Sequence, residues 1–165
     1  MSAQLARQRF IDTYRIVRRE KRHIRYSREK LFATELSTQS LANLDSDPEL
    51  AETIEAFASR FGRMQDTMAG KLFPRFLQAQ AEPTGTQLET LHRMEKLGLV
   101  DNVEHWLEAR ELRNKLVHEY VEHMIEFKES LELAHSFVDM LSAAHEKVGK
   151  HACQSLDIQL SELTG

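Results

Sequence analysis

The sequence predicts an all-α protein, folded as an up-and-down bundle of about five helices. Apolar residues recur at three- and four-residue steps over long stretches, and only six Gly and three Pro interrupt the 165 residues. No stretch shows the alternation of a half-buried strand. Short connections favour antiparallel neighbours, which gives the bundle. Hydrophobic residues make up 41% and charged residues 29% of the chain, a composition typical of a folded domain rather than of a disordered chain.

The first helix is predicted from about Ala3 to Leu36. One apolar stripe runs along it, which Lys21 and Arg28 interrupt, and its members are Phe10, Tyr14, Val17, Ile24 and Leu31. The stripe predicts that one side of this helix faces the core.

The same segment is strongly basic. Residues 1–30 hold ten Lys or Arg against three acidic residues, a formal charge of +7, whereas the whole chain carries -4 and the remainder therefore -11. Such a segment can bind nucleic acid or an acidic partner, and a solvated helix face is the alternative. The predicted RNA-binding residues are Arg18, Arg19, Arg22 and Arg25.

A second helix is predicted from about Pro48 to Ala79. Asp47 can accept hydrogen bonds from free amides at its start, and Pro48 suits the first helical position. Pro74 lacks the amide hydrogen and collides with the preceding turn. We therefore expect a kink or a local end there.

The third helix has the clearest boundaries. Thr86 and Glu89 have the spacing of a capping box. The helix extends to about Leu97, because Gly98 readily takes the left-handed conformation that ends helices.

The last two long helices follow from similar signals. Asp101 with Glu104 starts the fourth, whose apolar residues are Val103, Trp106, Leu107, Leu112 and Leu116. The fifth is predicted from about Glu122 to Val148. Residues 1–149 are thus expected to form one domain, followed at 150–165 by a short helix or a frayed tail.

Composition also bears on location. The longest apolar runs are a few residues, far short of the roughly 20 that cross a bilayer, and the first ten residues contain no apolar signal core. Cys153 is the only cysteine, so it cannot form an internal disulfide. We expect a cytoplasmic protein without contact to a membrane.

Eight histidines in a helical protein raise the question of metals. Glu89 with His92, and Glu132 with His135, have the three-residue spacing of di-iron bundles, but spacings between common residue types arise easily by chance. We predict no metal and no cofactor, and the di-iron bundle is the weakest alternative.

One segment carries a more specific pattern. Arg113 is followed by Asn114, four residues separate Arg113 from His118, and Tyr120 stands two residues beyond His118. An earlier Arg-x4-His copy, which ends at His23, lacks both the Asn and the Tyr. The later copy resembles the Arg-x4-His-x-Tyr signature of the HEPN superfamily of helical ribonuclease domains, in particular the HepT-like toxins.

Further stretches look similar to uncharacterised relatives of that group. They are 61–66, 71–74 and 93–99, and the resemblance covers roughly residues 50–145. It implies a homodimer, RNA as substrate and a small nucleotidyltransferase as antitoxin. It also implies that the antitoxin adenylylates Tyr120. The basic first helix extends beyond what a minimal HepT-like toxin contains.

The residue types suit RNA cleavage without metal. His118 can transfer a proton near neutral pH, and the Arg113 guanidinium matches phosphate geometry. Five residues along a helix place the two about 140° apart, so one helix can aim both at one phosphate only if it unwinds at its end or if a second chain contributes. A dimer through this helix would bring the two together. Asn114, one turn before His118, could orient the imidazole.

Two other interpretations of the motif stay open. The chain could be a non-catalytic subunit that binds a nucleotide or a nucleotidyltransferase partner. Alternatively, Arg113 and His118 could serve only in a helix cap and a salt bridge, with partners such as Glu108, Glu111 or Glu119.

Overall fold

The computed structural model describes residues 1–118 and 123–165, with the side chains of residues 117 and 118 outside the description. The described residues contain helices and no strand, which confirms the all-α prediction. The α-helices are α1 (Ala3–Leu31), α2 (Thr38–Ala42), α3 (Pro48–Thr67), α4 (Phe73–Ala79), α5 (Gln87–Lys96), α6 (Val103–His118), α7 (Met124–Ser155) and α8 (Leu160–Thr164). One π-helical turn, Met68–Leu72, joins α3 to α4.

The long segment α3–α4 runs antiparallel to α1. Arg60 Nη1 donates to the carbonyl oxygen of His23 at 3.1 Å, and Arg75 Nη1 donates to Thr13 Oγ1 at 2.6 Å. Later residues of α3–α4 thus meet earlier residues of α1.

Helix α6 runs back along the other side of α3–α4. The Trp106 and Phe73 rings lie 5.0 Å apart, and near the other end of α6 Arg113 forms an ion pair with Asp66. The direction of the chain has therefore reversed again.

Helix α7 closes the bundle against α1 and α6. Arg28 Nη1 lies 2.8 Å from Asp139 Oδ1, and Lys21 Nζ lies 3.7 Å from Glu146 Oε1, so α7 is antiparallel to α1. The four long segments α1, α3–α4, α6 and α7 alternate in direction, as expected for an up-and-down bundle.

Aromatic side chains fill the space between these segments. Trp106 is 1% exposed and packs as a core residue, in agreement with the prediction. Each such burial contributes roughly 1.5–3 kcal/mol to stability. The largest buried rings are Phe10, Phe57, Phe61, Phe73, Phe76, Trp106 and Phe127.

The predicted starts of α3 and α5 are confirmed, whereas α6 starts one residue later than expected, with Glu104 N donating to Asn102 Oδ1 at 2.8 Å. Leu50 N donates to Asp47 Oδ1 at 3.1 Å. At α5 both hydrogen bonds of the capping box form, from Thr86 N to Glu89 Oε2 at 2.7 Å and from Glu89 N to Thr86 Oγ1 at 3.2 Å. Gly98 follows α5 with φ +74°, the left-handed conformation expected there.

The first helix is shorter than predicted. It ends at Leu31, and the short α2 begins at Thr38, where the Ser37 hydroxyl accepts a hydrogen bond from Ser40 N. Leu36 between them is buried. A turn therefore brings Leu36 into the core, where a straight continuation of α1 had been expected.

The predicted interruption near Pro74 takes the form of a change in helical pitch. The chain passes through the π turn, and Pro74 then lies in the first turn of α4. The missing proline amide is tolerated at that position, since first-turn amides have no partner within their own helix. The helical path therefore continues past Pro74.

The last long helix extends past its predicted end at Val148 and stops at Ser155. Gly149, just past the predicted end, lets α7 pass close to α1, because a side chain there would collide with the Tyr14 hydroxyl. Beyond α7 the short α8 forms, and its Leu163 is fully buried.

Within the described residues, no helix combines the length and the apolar character that crossing a bilayer requires.

Candidate functional site

Arg113 lies in a groove between α3 and α6. Its Nη2 is 2.8 Å from Asp66 Oδ2, and the two side chains are 41% and 49% exposed. The pair is therefore partly solvated, and it constrains the orientation of the guanidinium without removing it from water. Among the described residues its ion-pair partner is thus an aspartate on another helix rather than Glu108 or Glu111, and Glu119 lies outside the described residues.

Gly62 on α3 makes room for this arginine. A Cβ at Gly62 would lie 2.8 Å from Arg113 Nε and 3.0 Å from Arg113 Cγ. Contacts of that length require the arginine to move. The absence of a side chain at residue 62 therefore lets the Arg113 stem lie across α3 and reach Asp66.

Arg113 borders two cavities of the groove. The first, of about 350 Å³, has apolar walls from Ile54, Ala58 and Leu116. The second, of about 330 Å³, is polar. Both volumes are near the lower limit for small-ligand sites. Besides Arg113, the second cavity is lined by Ser59, Arg63, Asp66, Thr67 and Lys71.

Of the other residues of the motif, only Asn114 has a described side chain. Asn114 is exposed on the next position of α6. His118 is the last residue of α6, and its side chain lies outside the described part, as does Tyr120 entirely. The relation between Arg113 and the imidazole of His118 therefore stays a prediction.

The basic residues of α1 divide into two groups. Arg18 Nη1 donates to the carbonyl oxygen of Thr164 at 2.7 Å, so it helps to hold α8. Arg15 Nε donates to the carbonyl oxygen of Glu162 at 2.6 Å and also helps to hold α8. Arg19 and Arg22 are exposed and Arg25 is half-buried, and none of these three has an ion-pair partner among residues 1–118 and 123–165.

The carboxylates of the di-iron spacing have other partners. Glu89 belongs to the capping box, and Glu132 Oε1 lies 2.6 Å from Lys128 Nζ. The His135 ring packs edge-on against Phe32. Within the described part of the chain, no group of three His, Cys, Asp or Glu is placed to hold a metal ion.

A buried polar cluster joins α1 to α7, and the sequence analysis did not identify it. Lys21 Nζ lies 3.1 Å from His145 Nδ1, and His145 Nε2 lies 3.2 Å from the carbonyl oxygen of Tyr14. Since a carbonyl only accepts, Nε2 carries the proton and Nδ1 accepts from Lys21. The Tyr14 ring stacks on the imidazole at 3.9 Å. The signal for this cluster was Lys21, which interrupts an apolar stripe.

Burial controls the protonation of this cluster. It is the main cause that lowers the pKa of His145 to about 3, with the Lys21 charge as the second cause. Burial also raises the pKa of Tyr14 to about 12. The imidazole is therefore neutral near neutral pH, and its fixed hydrogen bonds are those of a structural link between helices.

Comparison with known proteins gives no neighbour. No protein-family model matches the chain, and no curated protein and no solved structure matches it significantly. The resemblance to the HEPN superfamily therefore depends on the sequence alone, on the motif around Arg113 and on the stretches 61–66, 71–74 and 93–99.

Proposed function

We propose that this chain is a HEPN-type toxin that cleaves RNA as a metal-independent endoribonuclease. One observation supports this most directly. Arg113, the arginine of the motif, is held half-exposed at the edge of a polar cavity whose other cations are Arg63 and Lys71. A phosphate group is the ligand that a partly solvated, oriented guanidinium suits best.

In this proposal Arg113 stabilises the charge that develops on the phosphate. Asp66 holds Nη2, and the remaining N–H groups of the guanidinium stay available to phosphate oxygens. Oriented donors of this kind need little rearrangement when the negative charge develops. Asp66 would thus be a positioning residue.

His118 would transfer the protons. The ribose 2'-hydroxyl loses its proton to a base and attacks the phosphorus, and the 5'-oxygen leaves with a proton from an acid. The products are a 2',3'-cyclic phosphate and a 5'-hydroxyl. Because residues five positions apart are separated by about 140° around an ideal helix, we propose that a second copy supplies the imidazole that acts beside Arg113. Asn114 is exposed next to Arg113 in the sequence, and its side chain would orient the imidazole.

The remaining partners follow from the resemblance. RNA would extend along α1, with Arg19, Arg22 and Arg25 on its phosphates and Arg18 shared between RNA and α8. A nucleotidyltransferase antitoxin would adenylylate Tyr120 and silence the toxin.

One observation favours a second candidate, a non-catalytic subunit that binds a nucleotide or a nucleotidyltransferase. Arg113 has an acidic partner, Asp66, within the chain itself, as in a purely structural contact. Expression of the chain alone separates the two candidates. A toxin should arrest growth, whereas a binding subunit should not.

The direct test is cleavage of RNA by the purified protein in EDTA. We expect a 2',3'-cyclic phosphate end, and we expect His118→Ala to reduce the rate by roughly 10²- to 10⁴-fold. Arg113→Ala should reduce it similarly. His23→Ala, in the earlier Arg-x4-His copy, is the matched control and should leave the rate unchanged. Cleavage by His118→Ala at the parental rate would contradict the nuclease proposal.

A further inference from the structure

Glu20 on α1 is linked by a hydrogen bond to the polar cavity beside Arg113. Its Oε2 is 3.1 Å from Oγ1 of Thr67, a residue that lines the cavity. Its Oε1 is buried and has no hydrogen-bond partner in the described part of the chain. A carboxylate with one unsolvated oxygen is unfavourable, and a proton on Glu20 removes that charge.

The Thr67 hydroxyl can serve Glu20 in both protonation states. Oγ1 also lies 2.8 Å from the carbonyl oxygen of Arg63. The hydroxyl has a single proton, and a carbonyl can only accept. When Glu20 is ionised, Thr67 donates to it. When Glu20 is protonated, Thr67 donates to the Arg63 carbonyl and accepts from the carboxyl. Rotation of one hydroxyl thus accommodates the gain of a proton.

The groups that face Glu20 belong to the cavity itself. Burial raises the pKa of Glu20 most, Asp66 raises it further, and the Thr67 hydrogen bond with the charges of Arg63 and Lys71 lowers it. The net result is a raised pKa. An anion in the cavity would add negative charge that offsets the cations, and this favours the protonated carboxyl.

We propose that the polar cavity binds one phosphodiester of single-stranded RNA between Arg63, Lys71 and Arg113, and that Glu20 takes up a proton as the phosphodiester binds. This inference rests on the proposed function, because RNA as the ligand comes from there. It adds a phosphate subsite beside the motif arginine and a proton coupled to its occupancy. By reciprocity, a proton on Glu20 strengthens binding as much as binding favours the proton.

The test uses a probe that the protein cannot cleave. Rhodamine-labelled hexathymidylate lacks 2'-hydroxyls, and its internal phosphodiesters carry a constant charge between pH 5 and 8. Fluorescence anisotropy at constant ionic strength would give its Kd across that range. We expect binding to tighten as pH falls, by up to about tenfold for each unit that the bound phosphate adds to the pKa of Glu20.

The variants separate an effect of Glu20 from effects of other titratable groups. Glu20→Gln should bind at pH 8 as tightly as the parent binds at low pH, with a flattened pH profile. Glu29→Gln, at an exposed position of the same helix, is the matched control and should keep the parental profile. Arg63→Gln and Lys71→Gln should weaken binding at every pH. Thermal unfolding checks that each variant is folded.

Two results would overturn the inference. One is a parental pH profile in folded Glu20→Gln. The other is tighter binding of labelled hexaglutamate than of hexathymidylate, which would indicate an acidic protein as the partner. If Glu20→Gln does not fold, Thr67→Val replaces it, and an unmoved midpoint of the pH profile in that variant would count against the coupling.

Failure of this inference differs from failure of the nuclease proposal. If the parent binds hexathymidylate with the expected dependence on Glu20 but never cleaves RNA, the nuclease proposal alone is wrong. If it cleaves RNA while Glu20→Gln, Arg63→Gln and Lys71→Gln bind the probe like the parent, this inference alone is wrong.

Discussion

Arg113 on α6 lies across Gly62 of α3 and is held by Asp66, with 2.8 Å between Nη2 and Oδ2. Both side chains remain about half-exposed, so the pair adds little to stability, typically less than about 1 kcal/mol. Its main effect is geometric, because it directs a guanidinium along the edge of the polar cavity.

Asp66→Asn should therefore lower RNA cleavage more than it lowers stability. Without the carboxylate the guanidinium loses its fixed direction, and misplacement of such a group reduces rates by up to about 100-fold. The free energy of unfolding, measured with urea, should change by less than about 1 kcal/mol.

The matched control is Asp101→Asn, which breaks the exposed Asp101–Lys147 pair on another part of the surface. It should leave the rate unchanged. Equal loss of activity in both variants would show that Asp66 has no specific role in orienting Arg113.

The proposed dimer predicts an effect of charge on the outer face of α6. Leu107 is 38% exposed there, beside the exposed Glu104, Glu108 and Glu111. Leu107→Glu would bring four acidic side chains of each copy together, and it should shift sedimentation at micromolar concentration from dimer to monomer. Leu5→Glu, at an exposed leucine of α1, should not. A parent chain that sediments as a monomer would contradict the dimer itself.

Replacing the two groups of basic residues on α1 should have two different effects, one on RNA binding and one on the attachment of α8. Changing Arg19, Arg22 and Arg25 together to Gln should weaken RNA binding, and it should reduce the slope of log Kd against log salt by about 2, since each lost phosphate contact contributes about 0.7. Arg18→Gln should mainly loosen α8, because its guanidinium binds the Thr164 carbonyl. An unchanged salt slope in the triple variant would indicate a solvated helix face.

The low pKa of His145 predicts that the folded protein loses stability in acid. The unfolded histidine titrates near 6.5 and the folded one at about 3, so the unfolded state binds the extra proton between these values. The contribution of His145 to the free energy of unfolding is complete above pH 6.5. It decreases as pH falls towards 3, by up to about 1.4 kcal/mol per pH unit.

The measurement is the free energy of unfolding against pH. His145→Gln can still donate to the Tyr14 carbonyl and accept from Lys21, and it should show a shallower decline between pH 6.5 and 3 than the parent. His92→Gln, at an exposed site, should follow the parent. Parallel curves for the parent and His145→Gln would refute the assignment.

Local signals in the sequence determined the helices and their sharpest boundaries. The hydrogen bonds of a capping box join residues three positions apart. Thr86 and Glu89 therefore define the start of α5 whatever the rest of the chain does. The apolar stripe of α1 likewise identified Phe10 and Ile24 as core residues. The alternation of helix directions followed from short connections.

Only the tertiary structure decided which polar residues meet. Lys21 and His145 are 124 residues apart and join because α1 and α7 pack antiparallel, and Asp66 pairs with Arg113 because residue 62 has no side chain. A Lys in an apolar stripe or a Gly in a helix signals an exception, but it does not identify the partner. Such contacts depend on how helices distant in sequence are placed against one another, and local periodicity and capping carry no information on that placement.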